Sequence, residues 1–233
     1  MDRLQLRQRL TTQEQMSESL LVSAVLAFSG GLQDAYTYIV RDGVFANAQT
    51  GNIVLMSTNF LSGNWAVALR YLLPVLAFVL GVIIAADELY YFKNARLFHW
   101  RQIVVLVQIV IFIAVGFLPP SLNLLANMLV SLACAMQVQA FRTVGGHTYA
   151  STMCIGNLRS GTEALTLWIH TKQRKYGSLV LHYFGVIAAF ALGAGIGGVL
   201  SKQWGQRTIW LSCIILLIAF ALMEFDRIPK EKA

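Results

Sequence analysis

Residues 45–57 read FANAQTGNIVLMS, and residues 149–160 answer with YASTMCIGNLRS. Each passes from small polar residues through a Gly-Asn pair, Gly51-Asn52 and Gly156-Asn157, into a more apolar run. Each also lies among longer and far more apolar segments, so the placement of these two stretches decides the fold. The surrounding runs, at about 19–40, 66–90, 102–118, 122–141, 179–200 and 209–225, are long enough to cross a hydrocarbon core of about 30 Å, which takes roughly 20 residues as a helix. Backbone polar groups find no water in that core, and the runs lack the two-residue alternation of barrel strands, so all six are predicted to be helices. Pro119-Pro120 marks a tight turn between the third and the fourth.

Composition supports the same class. The chain is 57% hydrophobic and 12% charged, with a mean hydropathy of +0.61, which describes an integral membrane protein in contact with membrane lipid. Its formal charge of +7 would suggest nucleic acid in a soluble chain, but here Lys and Arg gather in short clusters between apolar runs, as loop anchors do, and nucleic acid is excluded. Arg3, Arg7 and Arg9 precede an apolar run too long for a cleaved leader, which is expected to stay as the first helix. Cys134, Cys154 and Cys213 lack both CxxC spacing and a histidine at ligand distance, so no metal site is expected. With no nucleophile-base set and no Gly-rich phosphate loop, neither catalytic residues nor a cofactor is expected, and the chain does not read as an enzyme.

Residues 45–61 and 147–170 remain. The second holds Arg159 and Glu163, which at the centre of a bilayer would each cost several kcal/mol against lipid, so protein or water must line it. The positive-inside rule then distinguishes two topologies. If both segments dip in and return, six helices span and both termini are cytoplasmic. Of the 18 Lys and Arg, 13 then lie inside, Arg41, Lys202 and Arg207 lie outside, and Arg70 and Arg159 sit at membrane depth. If both segments span, the bias collapses to near parity. The re-entrant topology is therefore expected.

The two halves also repeat. At a shift of 105 residues Gly51-Asn52 falls on Gly156-Asn157 and Asp34 on Gln139; at a shift of 112, Leu69-Arg70-Tyr71 falls on Leu181-His182-Tyr183, Phe78 on Phe190 and Gly81 on Gly193. An odd number of crossings per repeat turns the second half upside-down. The predicted fold is an all-α integral membrane protein, one membrane domain over 1–233, with two inverted three-helix repeats at about 17–118 and 121–226, each carrying an additional broken Gly-Asn segment. Many secondary transporters share this layout, with a binding site where the broken segments meet near the midplane.

Two strings, GGLQDAYTYIVRDGVFANAQTGN at 30–52 and AMQVQAFRTVGGHTYASTMCIGNLRSGTEAL at 135–165, resemble the signature stretches of the YoaK-like bacterial membrane proteins. The resemblance covers nearly the whole chain. It implies a bacterial plasma (inner) membrane protein and no particular activity. Ile155-Gly156 stands where the family often has Thr-Gly, and Val138-Gln139 follow Gln137 where a Gln-Asn pair is common.

Candidate solute-binding residues are Asp34, Gln49, Asn52, Gln139, Asn157, Arg159 and Glu163; candidate coupling or gating residues are Asp34, Arg70 and His182. Each has a structural alternative. Asn52 and Asn157 can cap helices that start at the Gly-Asn pairs, leaving free N–H groups that suit an anion or a carbonyl-bearing solute. Asp34, an acid in a spanning helix, must face the bundle interior, either locked to Arg70 or as a proton or cation site. Arg159 and Glu163 stand four apart and can pair with each other or open to a solute. His182 can be a hydrogen-bonded neutral residue or a titrating gate. Gly193, Gly195, Gly197 and Gly198 form a small-residue packing face that could also serve a homodimer. Three functions fit: a secondary transporter of a small polar or anionic solute, a passive channel, or a non-transporting scaffold or regulatory subunit.

Overall fold

A computed structural model describes residues 20–92, 100–144, 147–148, 152 and 154–225. The basic residues counted above at 3, 7 and 9, at 93 and 96, and at 227, 230 and 232 lie outside the described residues. The described chain is mostly helical: α1 (Leu20–Val40), α2 (Gln49–Leu61), α3 (Trp65–Phe92), α4 (Trp100–Phe117), α5 (Asn123–Ala140), α6 (Cys154–Thr171), α7 (Arg174–Trp204) and α8 (Ile209–Phe225). Between α5 and α6, the two-residue strands Thr143–Val144 and His147–Thr148 pair antiparallel.

Among the described residues, four stretches are long and apolar enough to cross a membrane: Trp65–Asp87, Trp100–Phe117, Pro120–Ala140 and Arg174–Glu224. The last is a 51-residue run folded into α7 and α8 by a corner at Gly205, whose φ of 57° lies in the left-handed region that suits glycine. α1 has 21 residues, length enough to span, but buries Ser29, Gln33, Asp34 and Thr37 along its inner side. The outside of the bundle is apolar: Val79, Leu80 and Ile83 on α3, and Leu192, Ile196 and Val199 on α7, are all exposed. An all-round apolar helix surface is what lipid requires and water penalises. The dry core lies where Val104, Ile109 and Phe112 of α4 meet Val130 and Ala133 of α5 and Ile209, Leu216 and Ala219 of α8.

Individual contacts fix how the helices run. The Cys134 thiol of α5 donates to Gln33 Oε1 of α1 at 2.9 Å, Asn127 Nδ2 donates to the Arg41 carbonyl at 2.7 Å, and Gln137 Nε2 donates to the Leu26 carbonyl at 3.3 Å, so α1 and α5 are antiparallel. Trp210 Nε1 donates to the Ile113 carbonyl at 3.2 Å, while Gln102 Nε2 donates to Glu224 Oε2 at 2.7 Å, which sets α4 antiparallel to α8. The Arg41 guanidinium, just past the end of α1, binds carbonyls at the end of α4, so these two helices finish on the same face. α1 and α7 run parallel and approach closely because glycine lets them: Gly193 packs on the Phe28 carbonyl, Gly31 on the Phe190 carbonyl and Gly197 on Leu32. Gly81 of α3 packs in the same way on the Leu132 carbonyl of α5. Two tightly packed pairs result, α1 with α7 and α3 with α5. α2 lies along α3, α6 lies along α7, and α1 and α5 face each other with little backbone contact.

Candidate functional site

Asp34 organises the middle of the first half. Its Oδ1 accepts the Asn47 backbone N–H at 2.7 Å and the Asn47 side-chain amide at 3.4 Å, and the amides of Ala46 and Ala48 also face the carboxylate. The Asn47 amide also donates to the Gly30 carbonyl at 3.3 Å. These residues lead directly into Gln49, the first residue of α2, so Asp34 sits where the orphan N–H groups and positive dipole end of a short helix require an acceptor. The cation proposed for Asp34 from sequence is not its partner: Arg70 is exposed on α3, and backbone and amide N–H groups from the Asn47 loop meet the carboxylate instead. Thirteen residues separate Asp34 from Asn47, and a backbone donor leaves no mark in the sequence.

Asn52 closes the same loop from the other end. Its amide donates to the Phe45 carbonyl at 2.7 Å and to Gln49 Oε1 at 2.9 Å, its Oδ1 accepts the Phe45 N–H at 3.0 Å, and Gln49 donates to the Ala46 carbonyl at 2.7 Å. Asn52 is fully buried. It is not a cap in the predicted sense, because α2 begins three residues earlier, at Gln49, with Ala48 at the N-cap position. α6 likewise begins at Cys154, three residues before Asn157, which is also buried.

The second loop reaches the same place from the opposite half. Gly30 is the middle residue of α1, and a Cβ there would collide with the methyl of Thr152, two residues before α6. Asn47 and Thr152 therefore both touch α1 at Gly30, and the Asp34 carboxylate lies within electrostatic reach of Cys134 on α5 and Cys154 at the start of α6. Among the described residues, Asn47 Oδ1 and Thr152 Oγ1 are buried without a hydrogen-bond partner. So are Ser131 Oγ and Asn127 Oδ1 on the face of α5 turned to α1, and Gln108 Oε1 of α4. Buried polar atoms left unpaired cost about 1–3 kcal/mol each and call for an explanation.

Arg41 closes one end of this polar seam. It is completely buried: Nε donates to the Tyr36 hydroxyl at 2.8 Å, Nη1 to Asn123 Oδ1 at 2.8 Å and the Leu118 carbonyl at 3.1 Å, and Nη2 to the Val115 carbonyl at 2.9 Å. A cation at the negative end of α4 is favourably placed. In the sequence Arg41 reads as a loop charge; the Tyr five residues before it and the Asn-rich start of α5 are the signals that point to its burial.

The remaining predicted residues lie apart from Asp34. Arg159 Nε donates to Glu163 Oε1 at 3.0 Å with both side chains largely exposed, so these two bind each other. His182 Nδ1 lies 2.6 Å from the Ser178 carbonyl of its own helix. Gln139 is half-buried, whereas Gln137, buried and donating to the Leu26 carbonyl, points at α1. The amide of α5 that turns inward is thus Gln137, 104 residues after the buried Gln33 of α1, rather than Gln139. Two positions on a helix differ by about 200°, enough to reverse the face.

The family described as "Protein of unknown function (DUF1275)" matches residues 22–222. The chain belongs to that family, whose YoaK-like members are membrane proteins. No curated protein and no solved structure matches it.

Proposed function

We propose that the protein is a secondary transporter of a small polar or anionic solute, built from two inverted repeats whose broken segments meet halfway along α1. The observation that carries this reading is the convergence of Asn47 and Thr152, from opposite halves, on Gly30 beside Asp34, each with a buried oxygen unpartnered among the described residues. Helix packing supports the repeat. Exchanging α1 with α5, α2 with α6, α3 with α7 and α4 with α8 converts each main contact into another: α1·α7 into α5·α3, α2·α3 into α6·α7, and α1·α8 into α5·α4. Helix directions support re-entry, because α1 and α4 end on one face while α4 and α8 are antiparallel. Were α2 and α6 to cross, both relations would reverse.

The expected path runs along α6. Arg159, Thr162, Glu163, Thr166 and His170 are exposed and fall on one side of that helix. Since α6 starts at the middle of α1, lipid against Arg159 and Glu163 would be costly, and water lining a vestibule is the inexpensive alternative. A Cβ at Gly156 would meet open space, leaving the first turn of α6 approachable by a solute, while Asp34 is the site of a coupling proton or cation. The reading is non-enzymatic and places the chain in a bacterial plasma membrane with both termini cytoplasmic. The sealed hydrogen bonds of Asn52 favour a second reading, a non-transporting scaffold or regulatory subunit.

Two experiments test this. A thermal-shift screen of the purified protein against solute libraries should give a ligand that raises the melting temperature and fails to do so in Thr152→Ala and Asn157→Ala; a hit unaffected by both rejects the site. Uptake of that ligand should lose its dependence on the proton or cation gradient in Asp34→Asn, and unchanged coupling rejects that role. For topology, cysteines at Gly43 and Gly63 should label from the same side of the membrane, and labelling from opposite sides rejects re-entry.

A further inference from the structure

The corner between α7 and α8 carries a cleft of about 490 Å³ lined by Gln203, Trp204, Arg207, Trp210, Leu211 and Ile214. Its walls come from opposite sides of the Gly205 turn. Thr208 Oγ1 donates to the Leu200 carbonyl at 3.2 Å and ties the turn back to α7. Trp210 is fixed by its bond to the Ile113 carbonyl and by the ring of Phe117, 5.0 Å away between centroids. The cleft is therefore a rigid feature. It lies at the face where α4 ends, a membrane-water boundary on the topology argued above, where tryptophans ordinarily sit.

We infer that this cleft holds the phosphate headgroup and the upper acyl chain of an anionic phospholipid. Arg207 is the only charged lining residue, it is exposed, and no described side chain pairs with it. A lone guanidinium with a forked set of donors suits a phosphodiester. From Arg207 the lining becomes apolar, through Leu211 to Ile214 of α8, with Ile214 exposed to the hydrocarbon side. A cation at the rim and an apolar wall running down toward the bilayer core reproduce the order of groups in a phospholipid. A soluble anion would have no use for the lower half of the cleft, and a protein partner would have to displace lipid from it.

Quenching of tryptophan fluorescence by brominated lipids tests the proposal on the full-length protein in nanodiscs. Brominated phosphatidylglycerol diluted into phosphatidylcholine should quench at a lower mole fraction than brominated phosphatidylcholine, by about fivefold, as one basic residue near the headgroups provides. Arg207→Gln should abolish that preference and Lys202→Gln, on a neighbouring exposed cation outside the cleft, should leave it. Trp204→Phe with Trp210→Phe should remove most of the headgroup-dependent quenching, which locates the lipid. Equal quenching by both headgroups, or a preference that survives Arg207→Gln, overturns the proposal. So does displacement by millimolar inorganic phosphate, which would make the site one for a free anion.

Discussion

Asn52 and Asn157 are each the fourth residue of a short helix, and both are buried, yet the chain around them is held by different means. Before α2, Asp34 and Asn52 satisfy the loop with side chains of the same half, and Gly51 is backed by the Phe45 ring, whose nearest carbon would stand 3.1 Å from a Cβ. Before α6, no acid on α5 takes the place of Asp34, Gly156 faces open space, and the helix then exposes Arg159 and Glu163. In a bilayer an interrupted segment must find hydrogen-bond partners within the protein or in a water-lined cavity. The described first half takes the former route, and on the transport reading proposed above the exposed Arg159 and Glu163 of the second fit the latter. On that reading the first half is the frame of the site and the second is its accessible side.

The largest effect that separates the halves is expected at Arg41. Arg41→Gln removes a buried cation and strands the carbonyls of Val115 and Leu118 and the amide of Asn123, a loss on the order of 3–5 kcal/mol by analogy with broken buried ion pairs. Arg142, just past α5, is exposed, and Arg142→Gln is expected to stay within about 0.5 kcal/mol. Thermal denaturation in detergent measures both. Similar losses would mean that the two halves end alike after all.

Where the halves share a rule, they should respond together. Gly193→Val drives a side chain into the Phe28 carbonyl and Gly81→Val drives one into Leu132; each is expected to lose about 3 kcal/mol, the upper part of the range for overpacking. Gly195→Val meets open space and should change little beyond the lower helix propensity of valine. A large loss at Gly195 would reveal a tightly packed second copy on that face, and so bear on the homodimer.

What could be read in advance followed from length and periodicity. The run at 19–40 is α1 (Leu20–Val40) and the run at 209–225 is α8, since an apolar stretch of spanning length has few alternatives to a helix. α7 begins at Arg174, five residues before the apolar run at 179–200, because a helix continues past the hydrocarbon wherever its backbone bonds allow. Partners were harder to read than elements. Arg70 was the cation of the right half, but the groups that hold Asp34 are N–H groups of the Asn47 loop, which any sequence would contain. Extended into the preceding helix, the Gly-Asn shift of 105 falls on Gln139 rather than Gln137. The longer chain between α5 and α6 breaks that register by one residue, and Gln33 and Gln137 are the amides that turn inward.

Within the two motifs, Asn52→Ala leaves both the N–H and the carbonyl of Phe45 unpartnered, so about 2–3 kcal/mol of stability is expected to go. Asn52→Asp loses the donor and sets a buried carboxylate against the Phe45 carbonyl and Gln49 Oε1, and should fall below Asn52→Ala. Denaturation midpoints ranked in any other order would separate the loop from this hydrogen-bonded clasp and weaken the description of the first half as a frame.

The smallest effect on stability, and the most informative about function, belongs to the Arg159–Glu163 pair. With the side chains 82% and 62% exposed, the bond between them is worth no more than about 0.5 kcal/mol, as for other exposed i, i+4 pairs. Arg159→Gln and Glu163→Gln should therefore fold as the parent does. If the face of α6 is lined by water, a cysteine at Thr166, on the same side as the pair, should react with a membrane-impermeant thiol reagent. A cysteine at Leu167, about 100° further round the helix from Thr166, should not. On the transport reading the charge variants should then weaken solute binding at unchanged stability, because Arg159 is exposed on α6 three residues after Gly156. Equal protection at Thr166 and Leu167 would mean that α6 is covered on both sides, by lipid or by a second chain. The openness of the second half would then be lost, and with it the difference on which the transport reading depends.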